Sequence, residues 1–337
     1  MGRLEIREIA GLPGKTLLDA FAYIAIPHAQ NLLFLSKSVL AKALGIDETR
    51  IRRRILGPLG EEAAAASFGQ FILTRHRAIA EVAAEIASNR FSFDSEEILA
   101  ELVRAAILAN NEGSLVPNLK DWRYLSTRMF EQGNEPLGVK LAAAALSADP
   151  KNSFLAVKLA NLYREAGQPE QSVQVFRKTI NQAQGNRAFF TEWATGEGHI
   201  GNPALSVWLK AVSIADGIEM RPPDVKDVAF GMAGCLVSFL VLYERYQDPA
   251  FLSGAAASNF LGRRLTVPMA AFEILETGLG TLLALGAESN FAPMRAFESY
   301  VVGVRAAYDQ REVELPGTIP PASKLYFGSL QKILKIA

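Results

Sequence analysis

The sequence predicts a mainly α-helical chain, with a small N-terminal module of helices and one hairpin followed by an α-solenoid of paired helices. Three observations predict it. Between Trp122 and Gly217 a helix–turn–helix unit recurs every 34 residues, with Gly133, Gly167 and Gly201 at its turns. A proline follows each glycine (Pro136, Pro169, Pro203), where a helix opens and a missing N–H costs nothing. Residues 1–92 lack this period and carry a β-favouring run, Phe71 to Thr74, behind the turn Phe68-Gly69-Gln70.

The chain opens with Leu4, Ile6 and Ile9, a short strand or extended lead-in. Lys15 to Ile26 reads as a helix, Ser36 to Leu44 as a second with Ser36 as N-cap and Gly45 as stop, and Glu48 to Leu56 as a third, capped by Asp47 and ended by Gly57-Pro58. Glu61 to Ser67 is open: its alanines favour helix, its place in the order a strand. Phe71 to Thr74 returns, and Arg75 to Ser88 is a long helix. A linker segment, 93–117, holds a helix over Glu96 to Ala109 capped by Ser95, then the boundary loop Asn110 to Asn118.

The periodic region spans 118–219. Trp122 and Leu125, Ala156 and Leu159, and Phe190 and Trp193 stand at matching distances before the three glycines. Met129, Tyr163 and Glu197 stand four residues before them. The second helices run Leu137 to Ala148, Glu170 to Gln182 and Ala204 to Ala215. This stretch resembles tetratricopeptide (TPR) repeats, well for 119–152 and 153–186. It departs from them in 187–219, where Glu197 replaces an aromatic and the second helix is one residue short, and Thr179 departs where Ser126, Ala145 and Ala160 keep the expected small size. Residues 220–337 continue as divergent TPR-like helices: from Asp224 or Asp227 to Tyr246, Pro249 to Leu261, Val267 to Leu285, Pro293 to Tyr308, and a cap over Ser323 to Ile336 after the loop Glu312 to Pro321.

In the N-terminal module, three helices and a hairpin form the winged-helix order. Two readings of it stay open. In a DNA-binding winged helix the third helix enters the major groove, and here it carries Arg50, Arg52, Arg53 and Arg54. Alternatively, Leu73 to Ala80, together with Pro58-Leu59-Gly60-Glu61-Glu62-Ala63, Phe71-Ile72 and Arg75-His76-Arg77, resembles the winged-helix domain of bacterial STAND ATPases, over residues 15–90. These are signal-transducing NTPases that include antiphage proteins, several with TPR-like repeats behind the nucleotide core. The resemblance implies that His76 contacts a nucleotide phosphate, in the context of a larger protein, and that the assembly is a homo-oligomer. ATP or ADP would then be held by a core outside this chain. The nearest approach to a Walker A loop, Gly14-Lys15-Thr16, has Ile9 where the first glycine belongs. No cofactor is expected in this chain itself.

Composition narrows the classes. Of 337 residues, 35 are basic and 35 acidic, so no global charge draws the chain to nucleic acid or an anionic membrane. Cys235 is the single cysteine, which excludes an internal disulfide and suits a cytoplasmic setting. Residues 1–10 carry charges that a signal peptide lacks, and the apolar run Val228 to Tyr243 is short for a membrane span. His28, His76 and His199 lie far apart, and Cys235 reads as inert core. No catalytic constellation emerges, and a non-enzymatic module is expected. Its partner is expected to be a protein or peptide in the solenoid groove, with two alternatives: a DNA-binding transcriptional regulator or a free-standing TPR adaptor.

Overall fold

The computed structural model describes residues 8–9, 14–30, 35–61, 65–183, 185–214, 223–263, 265 and 269–288. Leu4, Ile6 and the expected segments at 293–308, 312–321 and 323–336 lie outside them. The described structure is mainly helical, as expected, and divides into two compact units, Met1–Leu162 and Tyr163–Ala337.

In the first unit α1 (Leu17–Ala29) is opened by a capping box in which Thr16 and Asp19 satisfy each other's backbone N–H. It continues past Ile26 because Pro27 falls in its last turn. A two-residue strand, β1 (Leu35–Ser36), precedes α2 (Lys37–Leu44), where Ser36 accepts from the Val39 amide and Gly45 closes the helix at φ 70°. The strand is too short for a pattern to announce it. The third helix differs from expectation. α3 (Glu48–Ile51) runs into a π turn over Arg52–Leu56 and then into α4 (Gly57–Glu61). Gly57-Pro58 does not end it. Widening the turn lets the Gly57 N–H reach back to the Arg52 carbonyl, and Pro58 falls at the start of the resumed helix, where it lacks a donor at no cost.

The ambiguous stretch resolves as a strand, β2 (Ala65–Phe68), joined through Gly69 at φ 59° to β3 (Phe71–Thr74). The sheet order is β1-β3-β2, all antiparallel, with Leu35 opposite Ile72 and Phe68 opposite Phe71. α5 (Arg77–Phe91) packs back onto α1. α6 (Ser95–Asn111) is capped by Asp94 rather than Ser95: the Asp94 carboxylate accepts from the Glu96 and Glu97 amides at 2.8 and 3.1 Å. This helix, in the stretch expected as a linker, packs on α1, α2, α7 (Leu119–Glu131) and α8 (Glu135–Ala148). One hydrophobic core therefore runs from Ile9 to Leu155. At the α7–α8 crossing a Cβ on Gly138 would lie 2.9 Å from the Ser126 carbonyl oxygen, so only glycine allows this approach. The Leu162 boundary falls within α9 (Ser153–Glu165).

The second unit comprises the end of α9, α10 (Pro169–Thr179) with a 3₁₀ turn at Ile180–Gln182, α11 (Arg187–His199), α12 (Pro203–Ile214), α13 (Val225–Tyr246), α14 (Pro249–Arg263) and α15 (Met269–Glu288). In its interior Phe176 stacks with Trp193, and Phe189 meets both rings edge-on. α13 is 22 residues long, capped by Asp224 and ending at Tyr246 as expected, and among the described residues it is the one helix long and apolar enough to cross a membrane. It lies against α12, α14 and α15, with Met232, Leu236 and Phe239 fully buried between them.

The turn glycines do what their spacing implied. Gly133, Gly167 and Gly201 have φ of 90°, 73° and 83°. After each, the next amide donates back across the turn: Asn134 to Met129 at 3.0 Å, Gln168 to Tyr163 at 2.8 Å and Asn202 to Glu197 at 2.9 Å. This left-handed closure satisfies carbonyls that a helix end leaves open.

Candidate ligand groove

In the second unit, α11, α12 and α13 form most of the lining of an open cavity of about 920 Å³. Thr191, Thr195 and His199 reach it from α11 and Lys210 from α12; α13 adds Gly234 and Ser238. A second cleft of about 850 Å³ between α13 and α15 shares Val237, Val241 and Ile274 with it. These are exposed apolar side chains, Val237 at 49 %.

Lys210 is the chemically distinctive group. Its Nζ donates to the Thr191 carbonyl and to Thr195 Oγ1, both at 3.0 Å. Burial pushes its pKa down to about 8; the Arg164 guanidinium adds to the fall, while Cys235 and Glu192 oppose it. Glu192, the carboxylate whose charge acts on it, is already engaged, pairing with Arg164 at 2.8 Å. Cys235 is fully buried, as its reading as core expected, and burial pushes its thiol up to about 12.

Glu197, which stands where the repeats usually place an aromatic, is fully buried but completely partnered. Arg177 donates to both carboxylate oxygens, at 2.9 and 3.0 Å through Nη2; Trp193 Nε1 and Asn202 Nδ2 each donate at 2.8 Å. Its role is to tie α10, α11 and the turn at Gly201 together.

The residues singled out in the sequence lie in the first unit. His76 is exposed at the N-cap of α5 and makes no capping bond with its side chain. Thr74 Oγ1 donates to the His76 carbonyl at 3.0 Å and also meets His28 Nδ1. Two histidines far apart in sequence thus share one threonine. Burial, with Arg77 nearby, holds the His28 pKa below the usual imidazole value. Arg77 pairs with Glu81 at 2.8 Å. Arg50, Arg52 and Arg53 are exposed and Arg54 is half-buried, while Ile51 and Ile55 are fully buried between them.

No family model, curated protein or solved structure matches the chain.

Among the described residues, no three His, Cys, Asp or Glu side chains gather as metal ligands would. Sequence reasoning passed over Lys210. The available signal was its isolation: it is the one charged residue in the otherwise apolar α12.

Proposed function

We propose that this chain is a sensor module, in which a winged helix is followed by TPR-like hairpins and a protein or peptide trigger lies in the groove of the second unit. The observation that carries this reading is the groove itself, two adjoining clefts lined by apolar, hydroxyl and charged side chains beside turns closed by glycines 34 residues apart. Helical hairpins of this kind bind extended partners along such faces. The order helix, strand, helix, helix, strand, strand, with sheet order β1-β3-β2, fits a winged helix, which the STAND reading and the DNA-binding alternative both require. There the N-terminal unit would couple trigger binding to a nucleotide core outside this chain, and exposed His76 would be available to a phosphate. A photo-crosslinking side chain at Val237 should capture the trigger, whereas one at exposed Val82 of the first unit should not. An immunoblot of the native protein tests the larger context: a band well above 36.6 kDa supports a STAND protein, and a band at that size removes it.

Exposure of Arg50, Arg52 and Arg53 favours a second reading, duplex DNA binding. That binding should weaken steeply with salt and be lost in Arg52→Ala/Arg53→Ala. An absence of binding at low salt would sink it.

A further inference from the structure

Lys210 has a geometry that holding a peptide does not require. Thr195 Oγ1 donates its own proton to the Thr191 carbonyl at 3.0 Å, so toward Lys210 it acts only as an acceptor. Two acceptors on α11 therefore satisfy two N–H bonds of Lys210. An ammonium has a third, and among the described residues no carboxylate pairs with it: Glu192 is held by Arg164 and Glu197 by Arg177. A neutral amine fits this site completely, with both N–H bonds placed and its lone pair unused. On the opposite wall stands Gly234. A Cβ there would lie 2.6 Å from Lys210 Cε and 3.2 Å from Nζ, so the missing side chain makes room for the Lys210 chain itself and lets it reach its acceptors on α11. Lys210 and Gly234 both line the cavity of about 920 Å³, along with the hydroxyl-bearing Thr191, Ser206 and Ser238.

We propose that Lys210 is a carbonyl-reactive amine and that this cavity takes a small polar aldehyde or ketone, held as an imine. The amine lone pair forms a bond to the carbonyl carbon, and the carbonyl oxygen takes up a proton to give a carbinolamine. Loss of that oxygen as water leaves C=N, so amine and carbonyl give imine and water with no oxidant or reductant. Thr195 Oγ1, 3.0 Å from Nζ, is placed to pass the proton. The depressed pKa fits this chemistry. Desolvation is its main cause, and the groups that face the amine are Arg164, Glu192 and the protonated Cys235 thiol. With a pKa of about 8, roughly a quarter of the amine is neutral at pH 7.5, against about a thousandth for an ordinary lysine. The inference goes beyond the protein-binding reading and does not depend on it.

The test is reductive trapping of the full chain with glyoxylate and cyanoborohydride, followed by peptide mapping. Expected is a saturable adduct at Lys210 that forms roughly tenfold or more faster than at half-exposed, ion-paired Lys140. It should be absent in Lys210→Arg and slowed in Gly234→Ala, whose methyl would push the Lys210 chain off its acceptors on α11. The rate at Lys210 should level off above about pH 8, whereas the rate at Lys140 should go on rising. Labelling that follows solvent exposure and spares Lys210 would overturn the proposal, as would non-saturable labelling with equal rates at both lysines. If Lys210→Arg fails to fold, the wild-type rate profile decides alone. Trapping is read by mass and crosslinking at Val237 by capture, so either reading can fail without the other.

Discussion

Glu197 and Lys210 sit on adjacent helices of the same unit and are both almost wholly withdrawn from water, at 0 % and 5 % exposure. Their surroundings differ completely. Glu197 has a guanidinium, an indole N–H and an amide N–H on its two oxygens. Lys210 has two neutral acceptors and a cavity. Burial of charge is thus not one signal. A saturated buried ion is part of the frame, whereas one left short of partners beside open space is poised to meet something else.

The largest way to break this contrast is Glu197→Ala. It strands the Trp193 N–H and removes both oxygens from Arg177, and should cost about 4 kcal/mol in urea unfolding of the full chain. A loss below about 1 kcal/mol would mean the network is decoration. Lys210→Met tests the other side through pH. The Lys210 pKa in the fold, about 8, lies below that of the unfolded chain, so between roughly pH 8 and 10.5 the unfolded state binds more protons. The penalty of burying Lys210 is therefore fully present below that window and fades as pH rises through it. Wild type should gain up to about 3 kcal/mol relative to Lys210→Met across the window; parallel stability curves would refute the buried-amine argument. Two smaller substitutions set the scale for steric rather than electrostatic damage. Gly138→Ala in the first unit should cost about 2 kcal/mol, because the new methyl meets backbone 2.9 Å away. Gly201→Ala has open space around it but φ of 83°, and should cost about 1 kcal/mol, read as a shift in melting temperature.

The helical hairpins were legible because their signals are local: a glycine that must be left-handed, a proline that must open a helix, and an apolar face between them. The caps at Ser36, Asp47 and Asp224 and the stop at Gly45 were legible for the same reason. What sequence could not supply was anything that depends on pairing at a distance. β1 exists only because Leu35 finds Ile72, and α6 is central because four other helices close on it. The lining of the cleft in the second unit was not legible either. Arg50 to Arg54 and His76 stand out in sequence by charge and motif, whereas Lys210 matters through a threonine on α11 and a glycine on α13.

The π turn at Arg52–Leu56 gives this segment an unusual tolerance of length. A π turn takes up one extra residue within a helix whose two flanks keep their phase, and Ile51, Ile55 and Leu59 are all completely buried across it. Deleting the codon for Arg52, Arg53 or Arg54 would restore an ordinary α-helix in which these three side chains fall at i, i+3 and i+7, still on one face. This run of arginines should therefore survive the loss of one residue, a change that throws an ordinary helix out of register with its core.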